Sequence, residues 1–432
     1  MDRRRFIQNS GFALGASMLP VACTTVTESA PAVGLETWDG VRSQFLLSPR
    51  KIHMSQMLLA SHPLPVREAI DMHRKNFDEN PVEYWEANWT KAEVIVQEAV
   101  GRYVQCAPEE VALTDSTTMG LALLYNGLRL KAGDEILTST HDHYATEKSL
   151  EFAVARNGAT LRRIKLYENP AAVSVDEVVN TVRKAIQPKT RIVALTWVHS
   201  GTGVKLPIRA IADAIAEVNK ERTGADRIYF CVDGVHGFGI DNIAMADLGC
   251  DFFAAGTHKW IFGPRGTGIL FGKKDAWDMM GPTIPAFSFN AYGAWLGLYG
   301  GKVTFGDEVS PGGFHSFESR WALNTAFDFQ MKIGKARVAQ RTVSLGTQLK
   351  EGLSEIKHVT LHTPMNPALS AGINCFEVKG MSPTDVVAKL LTKGIIASVT
   401  PYKTEYARLT PSIVNNEEEV TTAIRALENI NA

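Results

Sequence analysis

The residues best suited to chemistry in this chain surround Lys259. This lysine stands in a Gly-Thr-His-Lys-Trp segment that follows the apolar run Phe252–Ala255 and precedes the glycine-rich run Gly263–Gly268. A lysine just past a strand end can condense with an aldehyde to form a Schiff base, provided that burial and nearby cations favour its neutral form. Thr257 and His258 are both able to donate hydrogen bonds to a phosphate group beside it. Taken alone, the segment is equally compatible with a surface lysine in a glycine-rich turn.

A second strand end upstream supports the catalytic interpretation. Asp233 directly follows the β-type run Tyr229–Val232, and His236 comes three residues later in an Asp-Gly-Val-His segment. A carboxylate opposite a pyridine nitrogen keeps that nitrogen protonated, which makes the ring an electron sink. His236 is then placed to reach the phenolic oxygen of the same ring. An aspartate before glycine is also a common turn former, but the spacing to Lys259 favours a site for pyridoxal 5'-phosphate (PLP).

The pairing of an Asp-Gly-x-His strand end with a Thr-His-Lys strand end resembles the class V aminotransferase family. This family comprises fold-type I PLP enzymes and includes cysteine desulfurases and isopenicillin N epimerase. The matching motifs run from about Leu113 to Val420. The resemblance implies a homodimer with active sites at the subunit interface, and a freed Lys259 that moves the α-proton of the substrate as general base. Transamination, epimerisation and elimination all remain open beyond that step.

The resemblance also assigns the phosphate end of the cofactor. The run Leu113–Gly120 is similar to the family's phosphate loop, so Thr117, Thr118 and Met119 are expected at a helix start whose N–H groups bind the dianion. An ordinary cluster of N-cap residues has the same composition. Near Arg320 the family places a Gly-Thr pair that reaches the phosphate of the neighbouring subunit, and Arg320 is a candidate for that cross-subunit contact.

Three further positions are assigned to the ring and to the substrate. The resemblance implies that His143 stacks on the pyridine ring and that Ser200 faces the cofactor, where desulfurases carry Asn; serine is typical of the epimerase branch. Arg408 matches the arginine that binds the substrate carboxylate, a task that suits a bidentate guanidinium; otherwise it is a surface cation at a strand end.

Desulfurases carry a nucleophilic cysteine before that arginine, and the stretch Ile396–Tyr406 has none. His141 and His143 lack a third metal ligand in sequence reach, so no metal is expected.

The elements that must position these residues alternate between strand and helix. Helical spacing of apolar residues over Ile208–Arg222 stands between β-type runs, a pattern that favours an α/β fold with a mostly parallel large-domain sheet and helices on both faces. A smaller α/β C-terminal domain is expected to follow, with a strand, helix, strand and helix over Gly372–Asn429. We predict four parts: a signal and linker over 1–34, an N-terminal segment over 35–75 packing with the small domain, a large PLP-binding domain over 76–300, and the small domain over 301–432. The predicted strands of the large domain are Glu135–Thr140, Thr160–Leu166, Arg191–Val198, Ile228–Asp233, Phe252–Ala255 and Gly268–Phe271.

Composition excludes several classes of partner and site. The 432 residues carry 45 basic and 46 acidic side chains, for a net charge of −1, so no nucleic-acid partner is expected. The five cysteines include no CxxC pair, which argues against a common zinc site or a dense disulfide framework.

The first residues resemble a twin-arginine export signal. The pattern consists of Arg3 and Arg4, one free position and then Phe6. A weakly apolar stretch follows, Gly11–Ala22, which is too short for a membrane anchor. A disordered basic tail is the alternative. Cys23 invites a lipoprotein interpretation, but Pro20 departs from that pattern. We therefore expect a periplasmic or otherwise exported enzyme that folds with its cofactor and is carried by the twin-arginine machinery.

Together these observations predict an exported PLP enzyme that acts at the α-carbon of an amino-acid or peptide substrate. The export signal and the epimerase-like motifs are similar to those of exported family members that modify the glutamate side chain of pyoverdine siderophores. Tailoring of a peptide siderophore and PLP-dependent lyase chemistry are the alternatives within enzymes. A non-catalytic binding protein that kept the fold is the alternative outside them.

Overall fold

The computed structural model describes residues 34–298, 300–301 and 303–430. The predicted export signal, with Arg3, Arg4 and Phe6, and the candidate lipidation site Cys23 lie outside the described residues. Within the described part of the chain, no helix combines the length and the apolar character needed to cross a bilayer.

A seven-stranded sheet forms the centre of the large domain, in the order β2-β8-β7-β6-β5-β3-β4. Only β8 runs antiparallel to its neighbours in this sheet, so the predicted mostly parallel α/β fold is confirmed. The strands of the described chain are β1 (Ile52–His53), β2 (Val111–Thr114), β3 (Glu135–Ser139), β4 (Thr160–Ile164), β5 (Thr190–Thr196), β6 (Tyr229–Asp233), β7 (Phe252–Gly256), β8 (Gly268–Gly272), β9 (Val359–Leu361), β10 (Asn374–Val378), β11 (Ile395–Ile396), β12 (Ser398–Val399) and β13 (Ala407–Leu409).

Helices cover the sheet and lead into its strands. The α-helices are α1 (Trp38–Ser43), α2 (Leu64–Glu79), α3 (Pro81–Asn88), α4 (Ala92–Val104), α5 (Thr117–Gly127), α6 (Tyr144–Asn157), α7 (Val175–Ala185), α8 (Ile208–Asn219), α9 (Met245–Leu248), α10 (Phe289–Trp295), α11 (Phe305–Val309), α12 (Phe317–Trp321), α13 (Leu323–Ile333), α14 (Lys335–Ser354), α15 (Pro383–Thr392) and α16 (Glu417–Glu428). Short 3-10 turns occupy Pro108–Glu110, Pro170–Ala172, Gly224–Asp226 and Lys274–Met279.

The C-terminal part of the chain builds a smaller four-stranded antiparallel sheet in the order β12-β13-β10-β9. The N-terminal strand β1 pairs in parallel with β11 beside it. The exact domain boundaries at 34, 75 and 300 stay predictions.

The order of the central strands is what brings the chemical residues together. Strand β7 reads Phe-Phe-Ala-Ala-Gly and is buried throughout, as expected for a central strand that is covered on both faces. It pairs in parallel with β6, and Asp233 lies opposite Ala254. The carboxyl ends of both strands therefore open on the same edge of the sheet, where ligands collect in such folds.

Candidate active site

A cavity of about 150 Å³ lies at the carboxyl ends of the central strands. Helix starts contribute to it as well, because α5 and α6 begin at this edge of the sheet. The structure brings most of the predicted site residues to this cavity: Thr117, Thr118, His143, Ser200, Asp233, His236, His258, Lys259 and Arg408.

Lys259 lies in a tight turn, three residues after the end of β7. Its Nζ is 3.2 Å from Nε2 of His236. Burial lowers the pKa of Lys259 to about 8; the nearby Asp233 carboxylate opposes that shift and the Arg408 guanidinium adds to it. In the same turn Phe262 adopts a φ of 59°, which is uncommon for a residue with a side chain. A buried amine with a lowered pKa is suited to nucleophilic attack on an aldehyde.

Asp233 is a buried carboxylate whose charge is not neutralised by an ion pair. Its oxygens accept hydrogen bonds from the Thr146 hydroxyl at 3.1 Å and from the Val235 N–H at 3.2 Å. No lysine or arginine among the described residues forms an ion pair with it, and burial raises its pKa while Lys259 opposes the rise. A buried charge is costly unless it is paired. This carboxylate therefore fits a cationic partner such as a protonated pyridine nitrogen.

The start of α5 has the features of an anion site. Ser116 caps the helix by accepting the Met119 N–H at 3.1 Å, and the first N–H groups of an α-helix have no partner inside it. The Thr117 hydroxyl accepts the Gly256 N–H at 2.8 Å. A Cβ atom at Gly256 would lie 2.8 Å from Thr117 Oγ1 and 2.9 Å from His258 Cε1, so only glycine allows this approach. The cluster suits a phosphate dianion.

Arg408 is a second buried charge that lacks a charged partner. Its side chain donates to Ser398 Oγ at 2.9 Å, to the Ser200 carbonyl at 2.8 Å and to the Val399 carbonyl at 3.1 Å. A guanidinium has five N–H groups, so one remains on each terminal nitrogen. The residue is 1% exposed, and no carboxylate among the described residues pairs with it. The remaining fork fits a substrate carboxylate held in bidentate fashion.

Tyr402, which the sequence did not predict as a site residue, contacts both Ser200 and His143 beside the cavity. The Tyr402 hydroxyl lies 2.8 Å from Ser200 Oγ, and its ring meets the His143 ring edge-on at 6.2 Å between centroids. Burial raises the pKa of Tyr402 to about 12. A Cβ atom at Gly201 would lie 2.9 Å from the Tyr402 ring. Tyr402 and Ser200 are about 200 residues apart in the chain, so only the fold reveals this contact.

Three predicted residues are not among those that line the cavity. The Thr257 hydroxyl is fully buried 2.5 Å from the Thr267 hydroxyl, and the side chain of Met119 packs with a core cluster. Arg320 is buried and pairs with Glu93 at 3.1 Å and with Asp115 at 2.7 Å in its own chain. Their proposed contacts with the cofactor, or with the phosphate of a neighbouring subunit, stay predictions.

The residue set fits PLP at each of its three reactive ends. The start of α5 would hold the phosphate, the unpaired Asp233 carboxylate would face the ring nitrogen, and the Lys259 amine would bond to the aldehyde carbon. Within the described residues, no group of three or more His, Cys, Asp or Glu side chains is placed to hold a metal ion.

Comparison with known proteins agrees with this geometry. Residues 80–399 match the family described as Aminotransferase class-V. The chain is 25% identical to isopenicillin N epimerase of Amycolatopsis lactamdurans over 355 residues, which cover 79% of this chain and 84% of that protein. It is also 25% identical to a probable cysteine desulfurase of Halalkalibacterium halodurans over 394 residues, covering 87% of this chain and 92% of the other.

Solved structures show the same fold. A lysine-to-alanine mutant of C-DES, with glycine covalently linked to the PLP cofactor, superposes with a TM-score of 0.79 at 22% identity and covers 90% of this chain and 99% of its own. The cysteine desulfurase of Thermococcus onnurineus gives a TM-score of 0.76 at 21% identity, with coverage of 94% and 98%.

Proposed function

Because this chain belongs to the class V aminotransferase family and is a PLP-dependent enzyme of that family, we propose that it acts at the α-carbon of an amino-acid-like substrate with a free carboxylate. The observation that carries this proposal is Arg408, a buried guanidinium with two unused N–H groups and no acidic partner in the described chain. An anionic substrate group supplies the charge that this site lacks.

Each of the remaining residues has a part in that reaction. When bound, PLP supplies an aldehyde for covalent attachment of an amine and a ring that accepts electrons from the α-carbon. Lys259 is the nucleophile towards that aldehyde, and once freed it takes the α-proton as general base. Asp233 holds a proton on the ring nitrogen, and the start of α5 binds the phosphate. The Arg408 fork fixes the carboxylate, which orients the Cα–H bond relative to the ring.

The absence of a reactive cysteine near Arg408 favours transamination or epimerisation over desulfuration. Some relatives are named cysteine desulfurases and others isopenicillin N epimerases. The loop Ile396–Tyr406 has no cysteine. The thiol nearest to Arg408 along the small sheet is Cys375, which is fully buried, and burial raises its pKa to about 12. A buried neutral thiol is a poor nucleophile, so no residue of this loop is equipped to take sulfur from a substrate.

The test is to incubate the purified protein with a panel of amino acids in deuterated water, with Lys259→Ala as the control. Deuterium at the α-carbon of a recovered amino acid of inverted configuration, without loss of the amino group, indicates epimerisation. A 2-oxo acid in equal amount to aminated cofactor indicates transamination. If no amino acid in the panel shows exchange or loss of its amino group, action at the α-carbon is refuted for free amino acids.

We also propose that the enzyme is exported; the alternative to an amino acid as substrate is the glutamate side chain of a peptide siderophore. The twin-arginine pattern at Arg3 and Arg4 together with Phe6 supports export. Replacing both arginines with lysine should keep the protein in the cytoplasm, as read by fractionation with a cytoplasmic marker. Unchanged export of that variant means that the signal was misread. A siderophore whose mass is the same in a deletion strain as in the wild type refutes the substrate.

A homodimer is the proposed assembly, and an exposed aromatic surface supports it. Trp295 and Phe314 are 75% and 81% exposed, and a cavity of about 280 Å³ lies among Phe314, Trp85, Trp89 and Phe289. Apolar patches of this kind on a protein surface mark interaction sites. Light scattering should report a dimer for the wild type and for the control Leu391→Glu, whose leucine is exposed on α15. The double variant Trp295→Glu, Phe314→Glu should be monomeric; a dimer in that variant contradicts the assignment of this surface.

A further inference from the structure

The imidazole of His236 bridges two side chains that come from the turn after β7. On one side, Nε1 of Trp260 donates a hydrogen bond to Nδ1 of His236 at 3.3 Å. On the other side, Nε2 of His236 lies 3.2 Å from Nζ of Lys259. Trp260 and His236 are 2% and 5% exposed. The three groups therefore form a short chain from a buried indole and imidazole to a partly buried amine.

The chemistry of these groups leaves one arrangement of protons. An indole N–H is only a donor, so Nδ1 of His236 must be an acceptor and cannot carry a proton. A neutral imidazole then carries its proton on Nε2, and that N–H points at Nζ of Lys259. An ammonium group has no acceptor capacity, so Lys259 can complete this chain only as a neutral amine with a free lone pair.

We propose that Trp260 is a positioning residue: its indole N–H fixes His236 in the Nε2–H tautomer, and His236 in turn holds the Lys259 amine in its neutral, nucleophilic form. The effect of Trp260 on catalysis rests on the proposed role of Lys259 as the nucleophile. The arrangement of protons itself is independent of the substrate.

The indole is held firmly enough to impose this choice. The Trp260 carbonyl accepts a hydrogen bond from Nε2 of Gln330 at 2.9 Å. A Cβ atom at Gly372 would lie 2.6 Å from the indole ring, so the segment just before β10 packs tightly against it. The opposite tautomer of His236 would place two N–H groups against each other and leave the buried indole donor without an acceptor, which is unfavourable.

Burial has the largest effect on the pKa of Lys259 and lowers it. The Asp233 carboxylate opposes that shift, and the Arg408 guanidinium adds to it. Burial lowers the pKa of His236 well below its usual value, and Lys259, Arg408, His143 and His258 lower it further. His236 is therefore neutral across the working range, and its tautomer decides whether it donates to the lysine or accepts from it.

The first experiment uses the cofactor-free wild-type protein. Nitrogen-15 NMR of histidine-labelled protein distinguishes the two neutral tautomers, and His236→Gln identifies the resonance. We expect the proton on Nε2 at pH 9, above the pKa of about 8 of Lys259, where the amine is neutral. A proton on Nδ1 overturns the proposal, and this measurement needs no tryptophan variant to fold.

The second experiment titrates Lys259 by competitive acylation of the cofactor-free protein, with peptide masses as the readout. Trp260→Phe keeps an aromatic ring and removes the donor, so His236 becomes free to accept from an ammonium. We expect the labelling rate of Lys259 at pH 7 to fall about tenfold, which corresponds to a pKa that is higher by about one. Trp277→Phe is the control, because that indole donates to the Gly272 carbonyl at 2.5 Å, away from the cavity.

The third variant separates the tautomer from a general loosening of the turn. In His236→Leu the side chain can neither donate nor accept, so adding Trp260→Phe should leave Lys259 labelling unchanged. An equal loss in both backgrounds means that Trp260 acts only through packing and contradicts the proposal. Because every readout uses protein without cofactor or substrate, a wrong substrate assignment leaves these outcomes unaffected.

Discussion

Replacing Arg408 with alanine removes two kinds of interaction at once. The side chain gives three hydrogen bonds to its own chain, at Ser398, Ser200 and Val399. Its two remaining N–H groups are the ones assigned to the substrate carboxylate. The first set supports the cavity wall for every substrate, whereas the second acts only on substrates with a carboxylate. A comparison between two substrates therefore isolates the second set.

The magnitude follows from the environment of the guanidinium. Truncating one partner of a buried, charge-assisted pair costs roughly 2–4 kcal/mol, and each 1.36 kcal/mol is a factor of ten in rate. We expect Arg408→Ala to lower kcat/KM for a free amino acid by about two to three decades beyond its effect on the decarboxylated amine.

The assay measures kcat/KM for wild type and variant on one amino acid and on its decarboxylated amine. Arg341→Ala is the matched control, because Arg341 is also a buried arginine but pairs with Glu417 outside the cavity. It should lower thermal stability and leave the ratio between the two substrates unchanged. Equal losses on both substrates for Arg408→Ala would refute the assignment and leave Arg408 a structural residue.

Three further outcomes are expected. Asp233→Asn should still bind PLP but lose several orders of magnitude in kcat, since an amide cannot keep the ring nitrogen protonated; near-normal turnover excludes that role. Capture of PLP by cofactor-free protein should slow about tenfold for each pH unit below about 8, because the Lys259 amine becomes protonated there; a rate that is flat between pH 6 and 8 contradicts a neutral nucleophile. Tyr402→Phe should lower kcat/KM between about twofold and tenfold, because it loses the hydrogen bond to Ser200. The control Tyr406→Phe, whose ring stacks on His362, should leave kcat/KM unchanged. Equal effects of the two variants on kcat/KM mean that Tyr402 does not act on the cavity.

The sequence predicted the strands well because their apolar runs are continuous and short. The predicted strand Phe252–Ala255 and the observed β7, Phe252–Gly256, differ by one residue. The predicted helix Ile208–Arg222 ends at Asn219, since the chain leaves the helix before the 3-10 turn at Gly224–Asp226. Boundaries depend on capping and tertiary contacts, which periodicity does not report.

The site was predictable where one strand end carries one reactive group. Asp233 and Lys259 were found this way, because the carboxyl ends of parallel strands meet at one edge. The direction of neighbouring side chains was not predictable: Thr257 and His258 are adjacent, yet only His258 lines the cavity. Contacts between distant segments were also invisible, such as the 2.8 Å approach of Tyr402 to Ser200, which the fold brings together.

The central claim is that Lys259 carries the cofactor, and one measurement tests it most directly. The purified protein is reduced with borohydride, digested and mapped by peptide mass, with Lys259→Ala treated in parallel. We expect a pyridoxyl label on the peptide that contains Lys259 and none in the variant. A label on any other lysine, or a label of equal strength in Lys259→Ala, would contradict it.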